Sequence, residues 1–165
     1  MNRVYLLLGS NLDDRAGMLD KARRALESVI GPIISSSSIY ESEPWGFKAS
    51  EKFLNQVVVI ETLLSPSDLL SMILQIEESM GRKRFGNSYQ SRTIDIDILF
   101  YNDRVISEPE LKIPHPRIEE RKFTLMPLSE LNDGMIHPAF NKSIGQLLDE
   151  CLDDADVDIY RPIIQ

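Results

Sequence analysis

The sequence predicts an α+β fold of the ferredoxin-like sandwich type: a mainly antiparallel sheet with helices packed on it and a C-terminal extension. Three observations predict it. Strand-length apolar runs at residues 3–8, 33–40, 53–63 and 93–101 are interleaved with two stretches of helical periodicity, in the order strand, helix, strand, strand, helix, strand. Glycine and proline punctuate the boundaries between these stretches. There is no internal repeat and no low-complexity linker, so one domain over residues 1–165 is expected.

Each element has a local reason. Arg3 to Leu8 reads as a buried strand that breaks at Gly9-Ser10-Asn11. Ser10 or Asn11 can cap the following helix, with Asp13 and Asp14 in its first turn. Leu12, Ala16, Leu19, Ala22, Leu26 and Val29 keep helical spacing up to Gly31-Pro32. A strand is expected from Ile33 to about Tyr40, then a loop from Glu43 to Lys52 broken by Pro44 and Gly46. Phe53 to Leu63 is a strong strand centred on Val57-Val58-Val59-Ile60. Ser65-Pro66 opens a second helix, with Leu69, Leu70, Ile73, Ile76, Glu77 and Met80 in register, ending at Gly81. The next strand spans about Thr93 to Tyr101, and Asn102-Asp103 suggests a hairpin turn into Arg104-Val105-Ile106. Pro127 is expected to open a short helix over Leu128 to Leu131, Ile144 to Leu152 forms a last helix, and the tail is extended.

The strand Arg92-Thr93-Ile94-Asp95-Ile96-Asp97-Ile98-Leu99-Phe100 carries the chemistry. Side chains two apart on a strand share a face, ~6.6 Å apart along it. Asp95 and Asp97 therefore stand side by side while Ile94, Ile96 and Ile98 turn to a core. A wet acidic face on an antiparallel strand often binds nothing. Here the pair has company. Arg82, Lys83, Arg84 and Arg92 give four bases and no acid from 82 to 92, around a loop holding Gly86, Asn87 and Ser88. Two adjacent carboxylates call for cations. Oxygen-only ligands favour a hard ion such as Mg²⁺, which completes its shell with water and phosphates. Arginine's fork suits phosphate oxygens. No Gly-x4-Gly-Lys-Ser/Thr motif occurs, so a P-loop nucleotidase is disfavoured. His115, held between Pro114 and Pro116, has a stiff backbone that serves a structural or a catalytic role equally. Phe53 and Asn55 share a strand face, where a ring and an amide together can read a flat heterocycle, although a strand Phe is usually core.

Composition narrows the classes. Of 165 residues, 42% are hydrophobic and 27% charged, which is ordinary for a soluble globular protein. The net charge of −8 argues against nucleic-acid binding. Cys151 is the single cysteine, so no intrachain disulfide forms, which fits a reducing cytoplasm. No run approaches the ~18 apolar residues of a membrane span, and Val4 to Leu8 is too short for a signal core. Six acids and no base lie between Asp149 and Asp158, with no evident role beyond solubility.

Taken together, these blocks resemble 6-hydroxymethyl-7,8-dihydropterin pyrophosphokinase, a family of folate biosynthesis. The resemblance runs through Gly9-Ser10-Asn11, Pro44-Trp45-Gly46, Phe53-Leu54-Asn55, Gly81-Arg82, the Arg92 to Leu99 block, Ile113-Pro114-His115-Pro116-Arg117, and Glu120-Arg121-Lys122-Phe123 leading to Met126-Pro127-Leu128. It implies transfer of the β,γ-diphosphate of ATP to the hydroxymethyl group of the dihydropterin, with release of AMP. It implies that Asp95 and Asp97 hold two Mg²⁺ ions, and that Arg82 and Arg92 contact the transferring phosphates from a mobile lid over about 82–92. Arg84 and Tyr89 would close over the site. Glu77, Ile98, His115 and Arg121 would join the ATP contacts. Asn55 would read the pterin edge, Phe53 and Phe123 would sandwich the ring, and Asp95 with backbone at Ser42 and Trp45 would complete the pocket. Gln90-Ser91 stands where the family often has Gly-Pro, which implies a less stiff lid there; Tyr89 replaces a common Trp, and Phe53 a frequent Tyr. The chain resembles the stand-alone form, expected to be a cytoplasmic monomer with no nucleic-acid or membrane partner. Two other classes compete: a non-catalytic small-molecule sensor on the same scaffold, which needs no Asp pair beside an arginine lid, and an RNA-binding domain, which needs exposed sheet aromatics where this chain has Ile and Asp.

Overall fold

The computed structural model describes residues 1–12, 14–43, 52–81 and 94–162. Strand β1 (Asn2–Ser10) leads into helix α1 (Arg15–Val29). Then come β2 (Ile33–Ser36), β3 (Tyr40–Ser42), the long β4 (Phe53–Thr62), α2 (Pro66–Ser79) and β5 (Asp95–Tyr101). The sheet order is β10-β3-β4-β1-β5, with β2 also on β4, and every pairing is antiparallel. With β2 and β3 counted as one broken strand, this is the ferredoxin-like order the alternation of elements implied.

The sheet has two covered faces. Val4, Leu6 and Leu8 of β1, Leu54, Val58 and Ile60 of β4, and Ile94, Ile96 and Ile98 at β5 meet Leu19, Ala22 and Leu26 of α1 and Leu69, Ile73 and Ile76 of α2. Each fully buried Leu or Ile there stabilises by about 1.5–3 kcal/mol. The opposite face, Tyr5, Leu7, Val57, Val59, Leu99 and Phe100, is covered by the C-terminal extension through Leu125, Leu128, Ile144 and Leu147. The extension contains β6 (Ile106–Ser107), β7 (Lys112–Ile113), α3 (Lys122–Asn132), β8 (Ile136–His137), β9 (Lys142–Ser143), α4 (Ile144–Glu150) and β10 (Val157–Ile159). At one end of that face Gly9, Asn55 and Asp95 fall in one row across β1, β4 and β5.

Several sequence expectations need correction. Asp14, not Ser10 or Asn11, caps α1, accepting from the Gly17 N–H at 3.1 Å; Ser10 ends β1. The expected strand over 33–40 breaks because the Ser37 hydroxyl takes the Val57 N–H at 3.0 Å, a side chain standing in for backbone. Asn102 does make a turn, at φ +49°, but Ile106 does not return to β5. It pairs with Ile113 of β7 instead. Pro127 lies inside α3, which begins at Lys122. Its missing N–H costs one bond to the preceding turn, and the ring is buried. The last helix stops at Glu150, with Cys151 as its C-cap. Ser65-Pro66 opens α2, as the sequence indicated, and the Ser65 hydroxyl caps it by accepting the Asp68 N–H at 3.2 Å.

Candidate active site

Three strand ends build the floor of the site. In the register of the sheet, Gly9 of β1 pairs with Asn55 of β4 on one side and with Asp95 of β5 on the other. Asp97 pairs with Leu7, so both aspartates share the face covered elsewhere by the extension. The alternation read from the sequence is realised: Ile94, Ile96 and Ile98 are buried while Asp95 and Asp97 are only partly so.

A register shift in the β1–β5 ladder between Tyr5 and Leu6 leaves Leu99 as an extra residue on β5. Such bulges re-aim groups near sites. The Leu99 carbonyl accepts the His115 N–H at 3.0 Å, which sets His115 Nε2 4.0 Å from Asp97 Oδ2. His115 Nδ1 accepts the Arg117 N–H at 3.2 Å, so the ring hydrogen lies on Nε2, facing the aspartate. Burial, reinforced by Arg121 and against the pull of Asp95, lowers the His115 pKa to about 4. At neutral pH it is a neutral donor.

Glu77 is 2% exposed at the end of α2 and accepts the Ile96 N–H at 2.9 Å, between the two aspartates in sequence. Among the described residues β5 is the edge strand of the sheet, and Glu77 takes this outward amide. Arg121 stands just before α3 and is buried, its guanidinium 5.6 Å over the Phe123 ring. Asn55 is buried, and its Nδ2 donates to Ser42 Oγ at 3.0 Å. Phe53 borders the same spot.

Ile98 joins a cavity of about 260 Å³ beside the acidic pair, lined also by Leu70, Asp97, Leu111, Lys112 and His115. Sequence reasoning missed Leu70, Leu111 and Lys112. Leu70 has the spacing of a core residue, and the β6–β7 arm carries no motif. Trp45, Arg82, Arg84, Tyr89, Arg92 and the Gln90-Ser91 pair lie outside the described residues. Among the described residues no group of three or more His, Cys, Asp or Glu side chains could hold a metal, and no helix is long and apolar enough to cross a membrane. Among the described residues, Asp95 and Asp97 set two carboxylates on one face of β5, an oxygen donor chemistry. That fits magnesium, which keeps water and phosphate in its remaining positions.

The model of the family 7,8-dihydro-6-hydroxymethylpterin-pyrophosphokinase (HPPK) matches residues 5–133. The chain belongs to this family. Among curated HPPK proteins, the 2-amino-4-hydroxy-6-hydroxymethyldihydropteridine pyrophosphokinase of Porphyromonas gingivalis is 43% identical over 82% of this chain and 93% of its own length. That of Aquifex aeolicus is 43% identical over 91% of this chain and 92% of its own. The HPPK fold is also present in the crystal structure of wild-type Plasmodium falciparum HPPK-DHPS with SDX-DHP. There the TM-score is 0.74 and the identity 21%, over 91% of this chain and 43% of that one.

Proposed function

We propose that this pyrophosphokinase transfers the β,γ-diphosphate of ATP to the hydroxymethyl group of 6-hydroxymethyl-7,8-dihydropterin, giving AMP and the dihydropterin diphosphate, a step of folate biosynthesis. The observation that carries the reading is the row Asn55, Gly9, Asp95. It sets an amide suited to a heterocycle across one intervening strand from a carboxylate suited to a phosphate-bound cation. Family membership supports the same reaction. Nothing in the site favours the sensor or RNA-binding readings.

In this reading Asp95 and Asp97 hold the magnesium ions, two in number. When bound, the metal offsets phosphate charge and helps align the reacting oxygens. The chain's own residues supply the rest. Asn55, Phe53 and Phe123 seat the ring, with Ser42 and Trp45 at its edge. The cavity at Ile98, Leu70 and Leu111 receives the adenine, beside the edge strand β5. His115, neutral and carrying its hydrogen on Nε2, donates to a phosphate oxygen without adding charge. Arg121 adds a fixed positive charge. Arg82, Arg84, Tyr89 and Arg92, which lie outside the described residues, bring positive charge and a ring to the phosphates. The rate enhancement is then positioning plus charge stabilisation, as in phosphoryl transfer generally. The protein works as a single-domain monomer in the cytoplasm.

The test is incubation of the purified protein with ATP, Mg²⁺ and the dihydropterin. Pterin-dependent AMP is expected. ADP would mean single-phosphate transfer and overturn the proposal, as would binding of the pterin with no product.

A further inference from the structure

We propose that Gly9 and the Ser42 hydroxyl are positioning residues that hold the Asn55 side-chain amide in one orientation, and thereby set which donor–acceptor order of a heterocycle the site accepts. The inference rests on the pterin reading above.

Gly9 lies inside a regular antiparallel ladder, paired on both sides, and its φ is not positive. Any residue could adopt that backbone, so conformational freedom does not explain a glycine there. Space does. A Cβ at Gly9 would stand 3.2 Å from Asn55 Oδ1, 3.8 Å from Phe53 Cδ1 and 3.9 Å from the Leu54 carbonyl. The bare position thus lies between the amide and ring on one side and Asp95 on the other. With strands ~4.8 Å apart, Asn55 and Asp95 are separated by roughly 10 Å of sheet carrying no side chain.

The glycine also selects an amide rotamer. Where a Cβ would be, Gly9 carries a hydrogen, and Asn55 Oδ1 faces it. An oxygen tolerates that approach as a weak Cα–H···O contact. The amino end of the amide would set hydrogen against hydrogen. At the other end Nδ2 donates to Ser42 Oγ at 3.0 Å, with both residues buried, Asn55 3% and Ser42 2% exposed. One end is tied and the other end fits only as oxygen. A fixed amide accepts from a lactam N–H and donates to its carbonyl. It opposes the reversed order of a 4-amino heterocycle, and leaving a buried polar group mismatched is what makes such rejection strong.

The experiment measures dissociation constants for 6-hydroxymethylpterin and for 2,4-diamino-6-hydroxymethylpteridine, with Mg²⁺ and a non-hydrolysable ATP analogue present. Wild type, Ser42→Ala, Ser42→Thr and Gly9→Ala are compared. Wild type is expected to prefer the lactam. Ser42→Ala, with the amide untied, is expected to reduce that preference by about tenfold or more, and Gly9→Ala to weaken lactam binding by about tenfold. The affinity for the ATP analogue should stay within about twofold, and Ser42→Thr, which keeps the hydroxyl, should recover the preference. A merely structural role would move both ligands and the nucleotide together, so an unchanged lactam-to-diamino ratio in Ser42→Ala overturns the inference. If Gly9→Ala does not fold, the Ser42 pair decides. A wild type that binds neither heterocycle removes the pterin reading itself, an outcome separate from failure of the clamp.

Discussion

Truncating Glu77 to alanine should destabilise the protein while the isosteric glutamine should not do so to the same degree. The Glu77 carboxylate is 2% exposed and accepts the Ile96 N–H at 2.9 Å. Removing it strands a buried amide that formed a charge-assisted bond, at about 1.5–3 kcal/mol. One buried methylene is lost as well, about 0.8 kcal/mol, offset in part by the roughly 0.4 kcal/mol better helix propensity of alanine. The net loss is about 3 kcal/mol, and for a chain of this size that lowers the melting temperature by roughly 6–12 °C. Glutamine keeps an oxygen acceptor at about half the bond strength, for a loss of about 1 kcal/mol. Urea and thermal unfolding followed by circular dichroism measure both variants. An alanine variant melting within about 2 °C of wild type, or a glutamine variant as unstable as the alanine one, would refute the assignment of Glu77 as the acceptor that fastens β5 to α2.

Other outcomes follow from the same structure. Asp95→Asn or Asp97→Asn should lower AMP formation by about a thousandfold or more while leaving the melting temperature nearly unchanged; turnover close to wild type in either would sink the metal assignment. Arg92→Ala should slow single-turnover chemistry more than it weakens pterin binding, and a pure loss of pterin affinity would contradict its proposed place on the phosphates. Burial lowers the His137 pKa below its ordinary 6.5, so its folded form binds a proton less readily than its unfolded form. That contribution is complete above about pH 6.5 and is lost as the pH falls. The urea midpoint should therefore drop between pH 7 and 5.5, and a dependence no shallower in His137→Asn would show that the histidine is not involved.

Legibility in the sequence divided along physical lines. The Ile/Asp alternation of β5, the opening of α2 at Ser65-Pro66 and the order of the elements could be read because each is a local pattern with a fixed period or a fixed offset. Pro127 misled because its penalty for interrupting a helix is local, whereas the packing of α3 on Val57, Val59 and Phe100 is not. The Asn102 turn was legible but the partner of Ile106 was not, since a two-residue pairing with Ile113 leaves no pattern. At the site, charged and aromatic residues announced themselves. The walls at Leu70, Leu111 and Lys112 did not, because an apolar cavity lining looks like core and an exposed lysine looks like surface. Glu77 was placed with the nucleotide by resemblance alone; its bond to the Ile96 amide needed the fold.

The strand β10 gives the acidic C-terminal stretch a purpose. Val157, Asp158 and Ile159 pair with Ser42, Glu41 and Tyr40, so among the described residues β10 forms the outermost strand beside β3. Without it, the backbone of β3 would be an open edge, a template for joining another chain strand to strand. β10 is three residues long and has Asp158 at its centre and Asp156 just before it, so it closes that edge and makes a poor template itself. Asp156 and Asp158 thus put negative charge where two copies of this protein would otherwise zip together.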